Sequence, residues 1–272
     1  MFPVLLFRRA ISPILGRKYN QTMLPTLPRP VVFAHRGASS HAPENTLAAF
    51  ELAAAQGADG IELDAKLTAD GHVVVFHDQT LERTTDGAGR LVQKQLAELR
   101  GLDAGSHFAP QFRGEKIPLL EEVFESVGKK LFTNVEFTNY ATPWDSLVEH
   151  VCDLVKKCGL EDRVMFSSFL PTNLLKARAL LPNVPRGLLA AQKWKGAWAR
   201  SFGFSFGDYA ALHPNVADVD AREVQRVHRL KRRIHVWPVN EQQDIRNLKN
   251  WGADGIFTKD PTLALSILGR TT

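Results

Sequence analysis

The sequence predicts an α/β protein built as a (β/α)8 TIM barrel with a small insertion after its second strand, and three observations carry that expectation. From Pro30 onward, short β-branched runs alternate with helical patterns, which is the mark of βαβ units and a parallel sheet. Eight strand-like runs appear, and the 272-residue length is close to the ~250 residues typical of such a barrel. Carboxylates also fall at the C-terminal ends of two of these runs, where barrels carry their chemistry. A doubly wound sheet satisfies the same alternation, because periodicity does not count barrel closure, and it stays open at this level.

Taken in order, strands are expected at Val31–His35, Gly60–Asp64, Leu131–Phe137, Val164–Ser168, Gly187–Ala190, Ala210–His213, Ile234–Val239 and Gly255–Thr258. Helical patterns lie between them at 44–56, 119–128, 144–158, 172–181, 221–231, 241–250 and 261–268. Several open near a proline (Pro43, Pro118, Pro143, Pro171, Pro261), whose fixed φ suits a first turn. One stretch breaks the rhythm: Lys66 to His77 carries Asp70-Gly71 between two strand-like runs and reads as a hairpin. With a two-residue turn there, opposed residue numbers sum to about 141, which sets His77 across from Asp64. Residues 79–117, polar and glycine-bearing with a short helical pattern at Val92–Leu99, form the insertion on the C-terminal face. The chain therefore divides into an N-terminal arm (1–30) and one barrel (31–272).

Phe2–Phe7 is apolar, but it is short and is followed by Arg8 and Arg9, whereas a signal peptide places its positive charge first. A membrane span needs ~20 mostly apolar residues, and no stretch offers them. The expectation is a soluble chain with a surface-seeking arm. Cys152 and Cys158 lie in one helical pattern, about 9 Å of rise and roughly 240° of turn apart, so no disulfide is expected. A cytoplasmic location accounts for that usage, although a secreted protein of this size does not need disulfides either. A formal charge of +5 favours phosphate-bearing substrates or peripheral contact with anionic membranes over nucleic acid. No protein partner is evident.

Side chains alternate across a strand, so Glu62 and Asp64 share one face while Ile61 and Leu63 share the other. The apolar pair suits the barrel–helix layer, which turns the carboxylates inward; the same logic turns Glu136 inward. Three carboxylates in a partly buried mouth repel one another unless a cation neutralises them, and oxygen-only ligation points to Mg²⁺ or Ca²⁺. His35 ends the first strand and His77 ends the hairpin, so both can face such a metal. Two imidazoles on either side of a phosphate are what in-line acid/base chemistry requires, and Arg36 adds a planar fork for phosphate oxygens. Lys66, two positions beyond Asp64, shares its face and is a further candidate phosphate contact.

His35-Arg36-Gly37, Pro43-Glu44-Asn45-Thr46, Glu62-x-Asp64, Thr68-x-Asp70-Gly71, Val74-Val75-Phe76-His77-Asp78 and Arg83-Thr84-Thr85 follow in an order that resembles the glycerophosphodiester phosphodiesterase (GDPD) family. Ile117–Glu122, Ser168-Phe169, His213-Pro214, Trp237-Pro238-Val239-Asn240 and Gly252–Thr258 extend the likeness over residues 31–262. The resemblance implies a barrel with this insertion and a metal-dependent hydrolysis of glycerophosphodiesters to glycerol phosphate and an alcohol. It makes Glu62, Asp64 and Glu136 metal ligands, His35 and His77 the acid/base pair, and Arg36 and Trp237 substrate contacts. It leaves open which histidine is acid and which is base. One departure stands out, since the family usually carries Lys two residues after the third carboxylate and this chain has Thr138. That departure keeps a second class of function in view: a catalytically weak barrel binding phospholipid headgroups or membrane surfaces, or a lysophospholipase D-type activity.

Two stretches remain. The run 222–233 has Val224, Val227 and Leu230 on one face and basic residues opposite, either the solvated side of an outer helix or a surface for anionic lipid or RNA. Residues 194–206 interleave Trp194, Trp198, Phe202, Phe204 and Phe206 with Lys195 and Arg200. Trp194 and Trp198 fit an exposed helical face at the barrel rim that shapes leaving-group choice, whereas Phe202, Phe204 and Phe206 at period two fit a packed strand.

Overall fold

The computed structural model describes residues 23–270, so the expectations placed on residues 1–22 lie outside it. Eight parallel strands, β1 (Val31–His35), β2 (Gly60–Leu67), β4 (Phe132–Phe137), β5 (Val164–Ser168), β6 (Arg186–Ala190), β7 (Ala211–Pro214), β8 (Arg233–Val236) and β9 (Gly255–Thr258), close into a barrel through β1 pairing with both β2 and β9. The short β3 (Val73–Val75) adds antiparallel to the extended end of β2. The helices are α1 (Leu47–Ala55), α2 (Leu96–Gly101), α3 (Leu120–Val127), α4 (Leu147–Lys157), α5 (Pro171–Leu180), α6 (Phe204–Phe206), α7 (Ala221–Arg229), α8 (Gln242–Trp251) and α9 (Pro261–Leu268). The closed barrel decides against the doubly wound sheet.

Strand alternation places the residues as the sequence pattern requires. Ile61, Leu63, Val32, Ala34 and Val135 pack outward in the main core shared with the helices. Inward, Val31, Phe33, Phe132, Met165, Ala211 and Phe257 fill the lower barrel. Leu24, in a short turn ahead of β1, is buried against them, with Met23 and Leu27 packed alongside. The insertion has a core of its own around Val74, Phe76, Leu81, Leu91, Leu99 and Ile117.

Three local expectations differ. The hairpin pairs Ala65 with Val75 and Lys66 with Val74, one residue away from the expected register. Gly71 at φ +82° closes a three-residue turn, its amide bonding the Thr68 carbonyl, where a two-residue turn was expected. Asp64 therefore faces Phe76, whose amide it accepts at 2.8 Å, and His77 follows after the chain has left the ladder. Only Pro171 and Pro261 sit in the first turn of a helix; the other three precede theirs. Phe202, Phe204 and Phe206 are not a strand, because residues 193–206 wind as consecutive short helical turns. Cys152 and Cys158 are free thiols, and no described helix is long and apolar enough to cross a membrane.

Candidate active site

A cavity of about 290 Å³ opens at the C-terminal end of the barrel. Its lining includes His35, Arg36, Glu62, Asp64, His77, Glu136 and Trp237, which brings together every candidate residue of the sequence except Lys66. Each arrives by a simple route. Glu62 and Asp64 are successive inward positions of β2 and Glu136 is the last inward position of β4, with Asp64 paired to Glu136 in register. His35 ends β1 opposite Glu62. Arg36 and Gly37 then take positive φ (59° and 84°) and turn the chain back over the mouth, and a Cβ on Gly37 would meet Ala49 at 2.6 Å.

The three carboxylates offer oxygens within 4.8 Å of one another. Burial, with Asp64 and Glu136 nearby, pushes the Glu62 carboxyl well above the ordinary range. Burial and the Asp64 charge push Glu136 up to about 8. Asp64 goes the other way: burial opposes its charge, but Arg36, His77 and a 2.9 Å hydrogen bond from Asn45 Nδ2 hold it low. Glu62 Oε1 is buried and has no hydrogen-bond partner among the described residues. Hard oxygens, excess negative charge and an unpartnered carboxylate oxygen together fit a divalent cation such as Mg²⁺ or Ca²⁺.

Around this group runs a chain of ion pairs. Arg36 donates to Glu44 at 2.9 Å and lies 3.3 Å from Asp64, while its amide donates to Glu62 Oε2 at 3.0 Å. Glu44 also accepts two bonds from Arg83, which reaches Asp78, and Asp78 accepts from His77 Nδ1 at 2.6 Å. The Asp78 contact leaves Nε2 as the ring nitrogen of His77 open to chemistry. His35 Nε2 lies 3.7 Å from Glu62, and burial, with Arg36 adjacent, lowers its imidazole to about 3, so it is neutral. Tyr140, kept protonated by burial and by Glu136, donates to Glu136 Oε1 at 2.7 Å.

The far wall is aromatic, with Tyr140, Phe169 and Trp237 meeting edge-to-face and Trp237 Nε1 donating to the His213 carbonyl at 2.7 Å. Beneath it His213 and His235 share a 3.2 Å contact, both held neutral by burial. Gly187 makes room for that pair, since a Cβ there would lie 2.3 Å from the His213 ring.

Lys66 keeps the expected strand face but turns sideways: its Nζ donates to the Thr138 carbonyl at 2.9 Å and to Thr138 Oγ1 at 3.1 Å, away from the cavity lining. The cation at the rim is instead Lys259, just beyond β9. Sequence reasoning missed Lys259, Asn45, Asp78 and Tyr140 as site residues. Asn45 and Asp78 stood inside motifs it quoted; for Lys259 and Tyr140 no local signal exists.

The sequence profile of the Glycerophosphoryl diester phosphodiesterase family matches residues 35–263. The chain belongs to this family. It is 36% identical over 241 residues to a glycerophosphodiester phosphodiesterase of Caldanaerobacter subterraneus, covering 88% of this chain and 98% of that protein. Among solved structures it resembles an Oleispira antarctica phosphodiesterase in complex with the product sn-glycerol-3-phosphate, with a TM-score of 0.82 and 32% identity over 91% of this chain and 99% of the other. A glycerophosphodiester phosphodiesterase from Agrobacterium tumefaciens superposes with a TM-score of 0.74 at 27% identity, over 86% of this chain and 98% of the other.

Proposed function

We propose that this chain hydrolyses glycerophosphodiesters to glycerol phosphate and an alcohol, with a divalent cation held by Glu62, Asp64 and Glu136 and with His35 and His77 as the acid/base pair. The observation that carries this reading is the meeting of three carboxylates and two histidines in one cavity, with a carboxylate oxygen left unpartnered. When bound, a divalent cation supplies Lewis-acid neutralisation of phosphoryl charge. The protein's residues do the rest. Arg36 and the rim cation Lys259 draw the phosphate in, and the aromatic wall at Phe169 and Trp237 receives the carbon skeleton. One imidazole takes the proton of the attacking hydroxyl and the other gives one to the leaving oxygen. Asp78 orients His77, and Tyr140 and Asn45 fix the carboxylates that they touch. Peripheral membrane contact belongs to the proposal as well, and the cavity lining itself supplies no surface for it.

The test is hydrolysis of glycerophosphocholine with Mg²⁺, with Ca²⁺ and with chelator. Release of glycerol phosphate and choline that chelator abolishes supports the reading. Choline phosphate as product, or turnover indifferent to chelator, overturns it.

A further inference from the structure

Half of the large apolar side chains exposed among the described residues fall in one segment, the crossover from β6 to β7. Trp194 is 80% exposed, Trp198 54%, Phe202 62% and Phe206 66%. The four recur at every fourth residue through consecutive short helical turns of 3-10, π and α type, and all four are exposed, so they line one segment of the surface as an aromatic stripe. The rings of Phe202 and Phe206 touch, with centroids 4.4 Å apart. Soluble surfaces rarely gather large apolar groups in this way without a partner.

The underside of the segment is fully used, so the stripe is presented by a fixed scaffold. Phe204 is buried and stacks on Tyr209, with the Arg232 guanidinium over its ring, 4.9 Å from the centroid. Arg200 binds the Ala191 carbonyl at 2.9 Å, the Lys193 carbonyl at 2.7 Å and Asp218 at 2.8 Å. Arg226 and Arg232 clasp the carbonyls of Arg200 and Phe204 from the α7 side. That contact sets α7 beside the stripe, and α7 with the turn after it exposes Arg222, Arg229 and Lys231. Residues 191–207 hold Lys193, Lys195 and Arg200 and no acidic residue.

We propose that the aromatic stripe of the β6–β7 crossover, flanked by the basic face of α7, is a docking surface for anionic lipid bilayers. Tryptophan and phenylalanine beside lysine and arginine are the side chains that enter the headgroup boundary, and the surrounding positive charge selects an anionic leaflet. Trp194 lies four residues beyond the C-terminal end of β6, the end of the barrel that carries the cavity, so docking brings the mouth to the bilayer edge.

Flotation of the full chain with vesicles of phosphatidylcholine, with and without phosphatidylglycerol, tests this and needs no turnover, so it stands or falls separately from the proposed activity. Wild type should float with phosphatidylglycerol vesicles and lose binding at high salt. Phe202→Ser with Phe206→Ser, and Trp194→Ser with Trp198→Ser, should each weaken partitioning by about tenfold or more. Lys193→Glu with Lys195→Glu should abolish the preference for phosphatidylglycerol. Unchanged circular dichroism and melting confirm that these surface variants fold. Flotation that survives all four serine substitutions overturns the proposal, because it assigns membrane contact to another part of the chain. So does a wild type that ignores vesicles but forms a dimer dissociated by the phenylalanine pair, because the stripe then belongs to a second copy.

Discussion

Glu136→Gln should stabilise the metal-free protein, by an amount that grows with pH. The Glu136 carboxyl sits at about 8 in the folded chain because it is buried beside Asp64, against ~4.3 in an unfolded one. A raised folded value means that the unfolded state gives up its proton first as pH rises, so stability is lost between those two values. At ~1.4 kcal/mol per unit, and allowing for cavity water at the half-buried carboxylate, the penalty at pH 8 is roughly 2–4 kcal/mol. At ~2–4 °C per kcal/mol for a chain of this size, the variant should melt about 5–10 °C higher. The assay is thermal melting of both proteins in chelator at pH 4, 6 and 8. The difference between them isolates Glu136 from the buried histidines, whose lowered values make stability rise with pH. It should be near zero at pH 4 and largest at pH 8, and excess Mg²⁺ or Ca²⁺ should raise wild type more than the variant. Coincident midpoints at pH 8, or an equal metal shift in both proteins, refute the reasoning.

Asp78→Asn should lower kcat by ~10–100-fold with little change in KM, because the amide no longer orients His77; steady-state kinetics on glycerophosphocholine check this. Lys259→Met should raise KM several-fold and spare kcat, as expected of a rim cation that draws phosphate in, and unchanged kinetics would remove it from the site. Lys66→Met should cost stability, roughly 1–3 kcal/mol in a denaturant melt, while leaving KM near wild type, because its ammonium is spent on Thr138.

What was legible in the sequence was what depends on strict local period. Ile61-Glu62-Leu63-Asp64 could only bury its apolar pair against helices by turning both carboxylates into the barrel, and Val135-Glu136-Phe137 obeys the same rule. Strand ends likewise carried His35 and the carboxylates to the cavity. What stayed illegible came from side-chain direction and loop path. Lys66 shares the face of Asp64, yet the carbonyl and hydroxyl of Thr138, just past the end of β4, draw it sideways, a choice made only once β2 and β4 are paired. Asn45 reaches Asp64 because its backbone adopts φ 57°, and Tyr140 reaches Glu136 from a loop. The hairpin slipped by one residue because Asp70-Gly71 belongs to a three-residue turn. At 202–206, spacing by two is also half of a spacing by four, so a strand pattern and the stripe that includes Trp194 and Trp198 could not be separated by period alone.

The reading of the cavity as a phosphodiesterase centre worked by two opposed imidazoles is tested most directly by single-turnover rates of His35→Ala and His77→Ala on glycerophosphocholine at saturating Mg²⁺ or Ca²⁺. Each variant should fold and bind metal as wild type does and release glycerol phosphate ~10²–10⁴-fold more slowly. Near-normal rates in both would contradict it.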